Sequence, residues 1–69
     1  MLRLRVKEVA EEKDISMTKL SYRTEISYNT IKSIFRNPYR TVNTDTLVRI
    51  AKVLGVSVLD LMEEVPDEE

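Results

Sequence analysis

Apolar residues recur along this chain in two rhythms, and the change from one to the other marks its elements. Leu2 and Leu4 alternate with Arg3 and Arg5, the two-residue period of a short extended strand. From Val6 the spacing turns helical: Val6, Val9 and Ala10 fall on one side of a helix expected over about residues 6–13, with Asp14 as its stop. Residues 17–24 and 28–36 hold two further short helical patterns, separated by the turn Thr24-Glu25-Ile26-Ser27. Ser16 and Ser27 stand where N-caps belong, because a short hydroxyl side chain accepts a hydrogen bond from a free N–H of the first turn. Met17, Leu20, Ser21 and Thr24 share one face of the second helix. In the third, Thr30, Ile31 and Ile34 lie inward, leaving Tyr28, Asn29, Lys32, Ser33 and Arg36 on the outer flank.

Asn37-Pro38 closes the third helix, since Asn tolerates a left-handed cap and Pro cannot continue a helix. A polar loop runs to Asn43. Leu47, Ile50, Ala51 and Leu54 then predict a strongly periodic helix over about 45–54, capped by Thr44 and ended by Gly55 in a left-handed position. Ser57 with Asp60 has the form of a capping box opening a fifth helix, about 58–63. An extended Glu64-Val65 segment before Pro66 is the expected partner of the N-terminal strand. The expected fold class is therefore all-α: a compact five-helix bundle in one domain, 1–66, with a short pairing of terminal strands and an acidic tail, 67–69.

Composition narrows the chemistry. With 69 residues the chain is near the lower limit for a self-sufficient core, so association with a second copy is expected. It has no Cys and no His, which removes thiolate chemistry, the commonest metal ligand and the commonest general base. Gly55 is the one glycine, too few for a phosphate-cradling loop or a dinucleotide fingerprint. No enzyme, cofactor or metal is expected. The opening residues hold no apolar run of signal-peptide length and no segment reaches the length of a membrane span, so a soluble, cytoplasmic, nucleoid-associated protein is expected.

The net charge of −1 argues against a polyanionic partner until its distribution is considered. Six acids and no base lie in residues 60–69, so residues 1–59 carry 11 cations against six acids, a balance of +5. Between residues 15 and 44, Lys19, Arg23, Lys32, Arg36 and Arg40 face Glu25 alone. A basic working surface with a segregated acidic end is the simplest account, although solvated charge for solubility produces a similar pattern. Two capped helices across a short turn, the second with a polar and basic outer flank, make the arrangement of a DNA-binding helix-turn-helix.

Ser16 with Leu20 and Ser21, the run Ile26-Ser27-Tyr28-Asn29-Thr30-Ile31, Ile34, Leu47, Ile50-Ala51-Lys52, Leu54-Gly55-Val56-Ser57 and Leu61 together resemble the phage-repressor and Cro-like (XRE) helix-turn-helix family. The resemblance covers nearly the whole chain. It implies a five-helix lambda-repressor-like fold that binds operator DNA as a homodimer with its third helix in the major groove. Three positions depart from the family pattern. Met17 stands where Gln commonly braces a phosphate, Glu25 where the turn commonly has Gly, and Asn37 where Gly often closes the recognition helix. A non-Gly residue in a left-handed conformation costs about 1–2 kcal/mol, so Glu25 implies either a different backbone or strain absorbed by the bundle.

With the third helix in the groove, Tyr28, Asn29, Lys32 and Ser33 are the expected contacts to base edges, Asn29 suiting adenine and Lys32 guanine. An ordinary solvated helix face uses the same residue types. Expected phosphate contacts are Thr18 and Lys19 at the start of the second helix, with Arg36, Asn37, Tyr39, Arg40 and Thr44 around the following loop. Leu59 and Met62 are the candidate dimer interface, since the fifth helix should turn Val58 and Leu61 inward and leave Leu59 outside. The expected function is sequence-specific binding of double-stranded DNA by a transcriptional regulator. Two alternatives use the same fold: an antitoxin with a protein partner, and a helical interaction module that no longer binds DNA.

Overall fold

The structure, a computed structural model, describes residues 1–67, so residues 68 and 69 of the expected acidic tail lie outside the described residues. In chain order the elements are strand β1 (Leu2–Leu4), helices α1 (Val6–Glu12), α2 (Met17–Thr24), α3 (Tyr28–Arg36) and α4 (Thr44–Leu54), a 3-10 turn (Val58–Leu61) and strand β2 (Met62–Glu64). Leu20, Ile31, Ile50 and Leu61 are fully enclosed, one each from α2, α3, α4 and the 3-10 turn, so a single core ties the elements together. Burying a side chain of that size contributes about 1.5–3 kcal/mol, and no one helix of seven to eleven residues would persist without it.

The described residues hold four α-helices and the expected two-stranded antiparallel sheet, which corrects the five-helix expectation. The segment expected to form helix 58–63 divides between the 3-10 turn and β2. Ser57 and Asp60 do form the capping box, but Leu61 already accepts the Arg5 N–H at 2.7 Å, and Met62 is extended with φ −134°. Pairing with the N-terminal strand therefore ends the helical turn after four residues. The terminal strands pair as expected, the pairing beginning two residues before Glu64: Leu2 opposes Glu64, Arg3 opposes Glu63 and Leu4 opposes Met62, and the Val65 N–H donates to the Met1 carbonyl at 2.9 Å.

Helix ends are assigned with two corrections. Asn43, not Thr44, caps α4, its side-chain oxygen accepting the Thr46 N–H at 2.8 Å. Asn37 is extended at φ −126°, not left-handed, because the ring of Pro38 disfavours helical and neighbouring conformations in the residue before it. Its carboxamide oxygen instead accepts the Tyr39 N–H at 3.2 Å, a turn made by the side chain in place of the backbone. Left-handed positions fall at Asp14 (φ 59°), Glu25 (φ 61°) and Gly55 (φ 72°).

Arg3 joins three elements. From β1 it pairs with Glu63 across the sheet at 2.8 Å and with Glu8 on α1. Partial burial pushes the Glu8 carboxyl up, but hydrogen bonds from Arg3 and from backbone N–H, with the charges of Arg3 and Arg5, outweigh it and hold the group below the usual carboxylate range. A carboxylate depressed in the folded state stabilises fully above its unfolded pKa and loses that contribution as pH falls through the folded value. Thermal melts should thus show stability falling as pH drops below the usual carboxylate range, with a shallower fall in Glu8→Gln. An equally steep acid loss in that variant would remove Glu8 from the account.

Candidate nucleic-acid interface

Helices α2 and α3 are joined by Glu25, Ile26 and Ser27, and side-chain hydroxyls fix this turn. The Thr24 hydroxyl donates to the Leu20 carbonyl at 2.7 Å and accepts the Ile26 N–H at 3.3 Å. Ser21 donates to the Ile26 carbonyl at 2.6 Å. Both backbone polar groups of Ile26 are thus satisfied by α2, and Thr24 is buried while doing so. Glu25 takes the left-handed conformation that Gly commonly supplies, with its side chain in solvent. The bundle absorbs that strain. From the sequence, Ser21 and Thr24 are inward positions only; hydroxyls three residues apart in a helix's last turn were the available sign of this second role.

The two serine caps form as expected. Ser16 Oγ accepts the Lys19 N–H at 3.1 Å, and Ser27 Oγ accepts the Thr30 N–H at 3.2 Å while donating to the Thr30 hydroxyl at 2.8 Å. Ile31 and Ile34 are buried, which turns the opposite side of α3 outward: Tyr28, Asn29 and Arg36 are exposed, Lys32 between them is half-buried, and Ser33 is half-buried at one margin. Thr18 and Lys19 are exposed at the start of α2, and Met17 is half-buried against the core, so its position serves packing. The loop after α3 exposes Asn37 and Tyr39 with Arg40 half-buried, and Thr44 is exposed at the start of α4. Lys19 lines a shallow cleft with Glu11, Asp14 and Ile15, while Tyr39 and Arg40 line a groove with Leu2 and Met62.

Charge sharpens the picture. Arg3 and Arg49 are held in ion pairs, whereas Lys19, Arg23, Lys32, Arg36 and Arg40 make none among the described residues. These five cations are therefore free to meet an external anion. The two residues expected at a dimer interface do not share a surface in the same way. Leu59 is 76 % exposed, while Met62 lies beside Leu4 in the sheet, packed on the core, and lines a groove with Leu2, Tyr39 and Val42. No described helix is long and apolar enough to cross a membrane.

A helix-turn-helix with an outward polar flank on its second helix defines the class. Residues 5–67 match the Cro/C1-type HTH DNA-binding domain, and the chain belongs to that family. A crystal structure from Bacteroides fragilis, provisionally described as a DNA-binding protein, is similar at 30 % identity with a TM-score of 0.82, covering 91 % of this chain and 100 % of that one. No curated protein matches the chain.

Two substitutions test the turn by chemical denaturation. Thr24→Val should cost about 1–2 kcal/mol, because it deletes the acceptor for Ile26 N–H without changing the side chain's shape. Glu25→Gly should stabilise by roughly 0.5–1 kcal/mol, the relief of left-handed strain exceeding glycine's added unfolded-state entropy.

Proposed function

We propose that the protein is a sequence-specific regulator of transcription that occupies operator DNA as a homodimer and represses by occupancy. One observation carries this: the outer flank of α3 exposes Asn29 and Arg36 with Lys32 half-exposed between them, and neither Lys32 nor Arg36 is neutralised by a described carboxylate. An α-helix fits the major groove, where amide and ammonium groups distinguish base pairs. Asn29 and Lys32 read base edges, with Tyr28 and Ser33 at the margins of the same contact. Thr18, Lys19, Arg36, Asn37, Tyr39, Arg40 and Thr44 hold the flanking phosphates, which set register and carry most of the affinity. Asn37 suits this role because its carboxamide oxygen is engaged by Tyr39 N–H and its amide N–H groups remain available.

Exposed Leu59 is the apolar anchor for the second copy, which would place two recognition helices about 34 Å apart, one turn of the duplex. Met62 contributes from the neighbouring strand. A protein of this class needs no catalytic group, and acts by excluding or admitting other proteins at the operator.

The test is duplex selection from a random pool, followed by titrations at several salt concentrations. The log-affinity should fall against log salt with a slope of magnitude roughly 4–7, about 0.9 for each phosphate neutralised. Asn29→Ala should relax discrimination at one base pair by about 1–3 kcal/mol, whereas Arg36→Ala should weaken selected and random duplexes alike. Equal losses on both for Asn29→Ala would end its base-reading role, and a flat salt response would leave a protein-interaction module. Leu59→Glu should give a monomer in sedimentation and leave half-site affinity unchanged; a dimer that survives the substitution would place the interface elsewhere.

A further inference from the structure

A cleft of about 390 Å³ opens between α1 and the end of α3, and it brings together two cations far apart in sequence, Lys7 and Arg36. Its floor is half-buried Phe35 with Pro38. The Leu4 N–H donates to the Pro38 carbonyl at 2.7 Å, so the strand leading into α1 is fastened to the loop leaving α3 and the two sides of the cleft are held in register. Three other charged groups line it: Arg3, shared between Glu8 and Glu63, Glu8 itself, and Glu11. Lys7 and Arg36 are exposed and unpaired among the described residues.

The cleft's position matters as much as its charge. Phe35 lies at one margin of α3's outward arc, and Ser33 at the other. A helix seated in a major groove about 12 Å wide has a phosphodiester strand beyond each margin. The phosphate contacts proposed above come from the start of α2, the end of α3, the loop after it and the start of α4, and none comes from α1.

Resting on the DNA-binding function proposed above, we propose that Lys7 is a further DNA contact, and that the Lys7–Arg36 cleft receives one backbone phosphate of the duplex on the Phe35 side of α3. The contact reads no sequence. It extends the footprint from the helix-turn-helix onto the first helix and fixes the tilt of α3 in the groove, while Glu11 opposes it by like charge.

The test compares the unsubstituted protein with Lys7→Gln, Lys7→Arg and Glu11→Gln on a duplex selected from a random pool and on random duplex, across salt concentration. All three side chains are exposed, and unchanged circular dichroism melts confirm that folding is untouched. Lys7→Gln should reduce the magnitude of the log–log salt slope by about 0.9 and weaken both duplexes roughly five-fold near 0.15 M salt. Lys7→Arg should retain the slope, and Glu11→Gln should tighten binding to both duplexes. An unchanged slope in Lys7→Gln, with salt-dependent binding intact in the unsubstituted protein, overturns the Lys7 contact and leaves the regulator function standing. Absence of salt-dependent binding in the unsubstituted protein overturns both.

Discussion

The geometry of the α2–α3 turn depends on the backbone of one turn residue being held by side chains of α2. Ile26 gives its N–H to Thr24 and its carbonyl accepts from Ser21, so the chain leaves α2 in a single direction. Water cannot substitute for these bonds without competing against a buried threonine whose hydroxyl already serves the Leu20 carbonyl. With the exit direction fixed, Ser27 caps α3, Ile31 and Ile34 enter the core, and the polar flank is forced outward. The left-handed Glu25 is the cost of that direction, offset by packing on both sides of the turn.

The far side of the molecule has a second fastening, made by the termini. Strands β1 and β2 pair over three residues, and Arg3 reaches from the sheet to Glu63 and Glu8. Leu4 then bonds the Pro38 carbonyl, which ties this sheet to the loop following α3. Opposite ends of the sequence thus brace the end of α3, the element proposed to meet DNA. A sheet this small would be marginal alone, and it persists because Leu4 and Leu61 are buried in the common core.

Charge is sorted by the same scaffold. Arginines on the sheet and on the outside of α4 are paired with carboxylates, and those around α3 are not. The acidic residues Glu63 and Glu64 lie on β2, where one of them neutralises Arg3. A near-neutral chain consequently presents a local excess of positive charge, which steers association with a polyanion more than total charge does.

Helix positions were legible in the sequence because each has its own local signal: serine caps at Ser16 and Ser27, an apolar stripe at Leu47, Ile50, Ala51 and Leu54, and Gly55 at a left-handed end. The exposed flank of α3 was legible for the same reason, since a period of 3.6 residues assigns Ile31 inward and Asn29 outward before any fold is known. Tertiary structure decided what depends on contacts distant in sequence. Residues 58–63 carry a helix-opening signal, yet pairing with Leu2–Leu4 stops the helix after Leu61, and Pro38 overrides the left-handed preference of Asn37. That Lys7 and Arg36 line one cleft likewise follows from how α1 packs against α3, which no spacing along a single helix encodes.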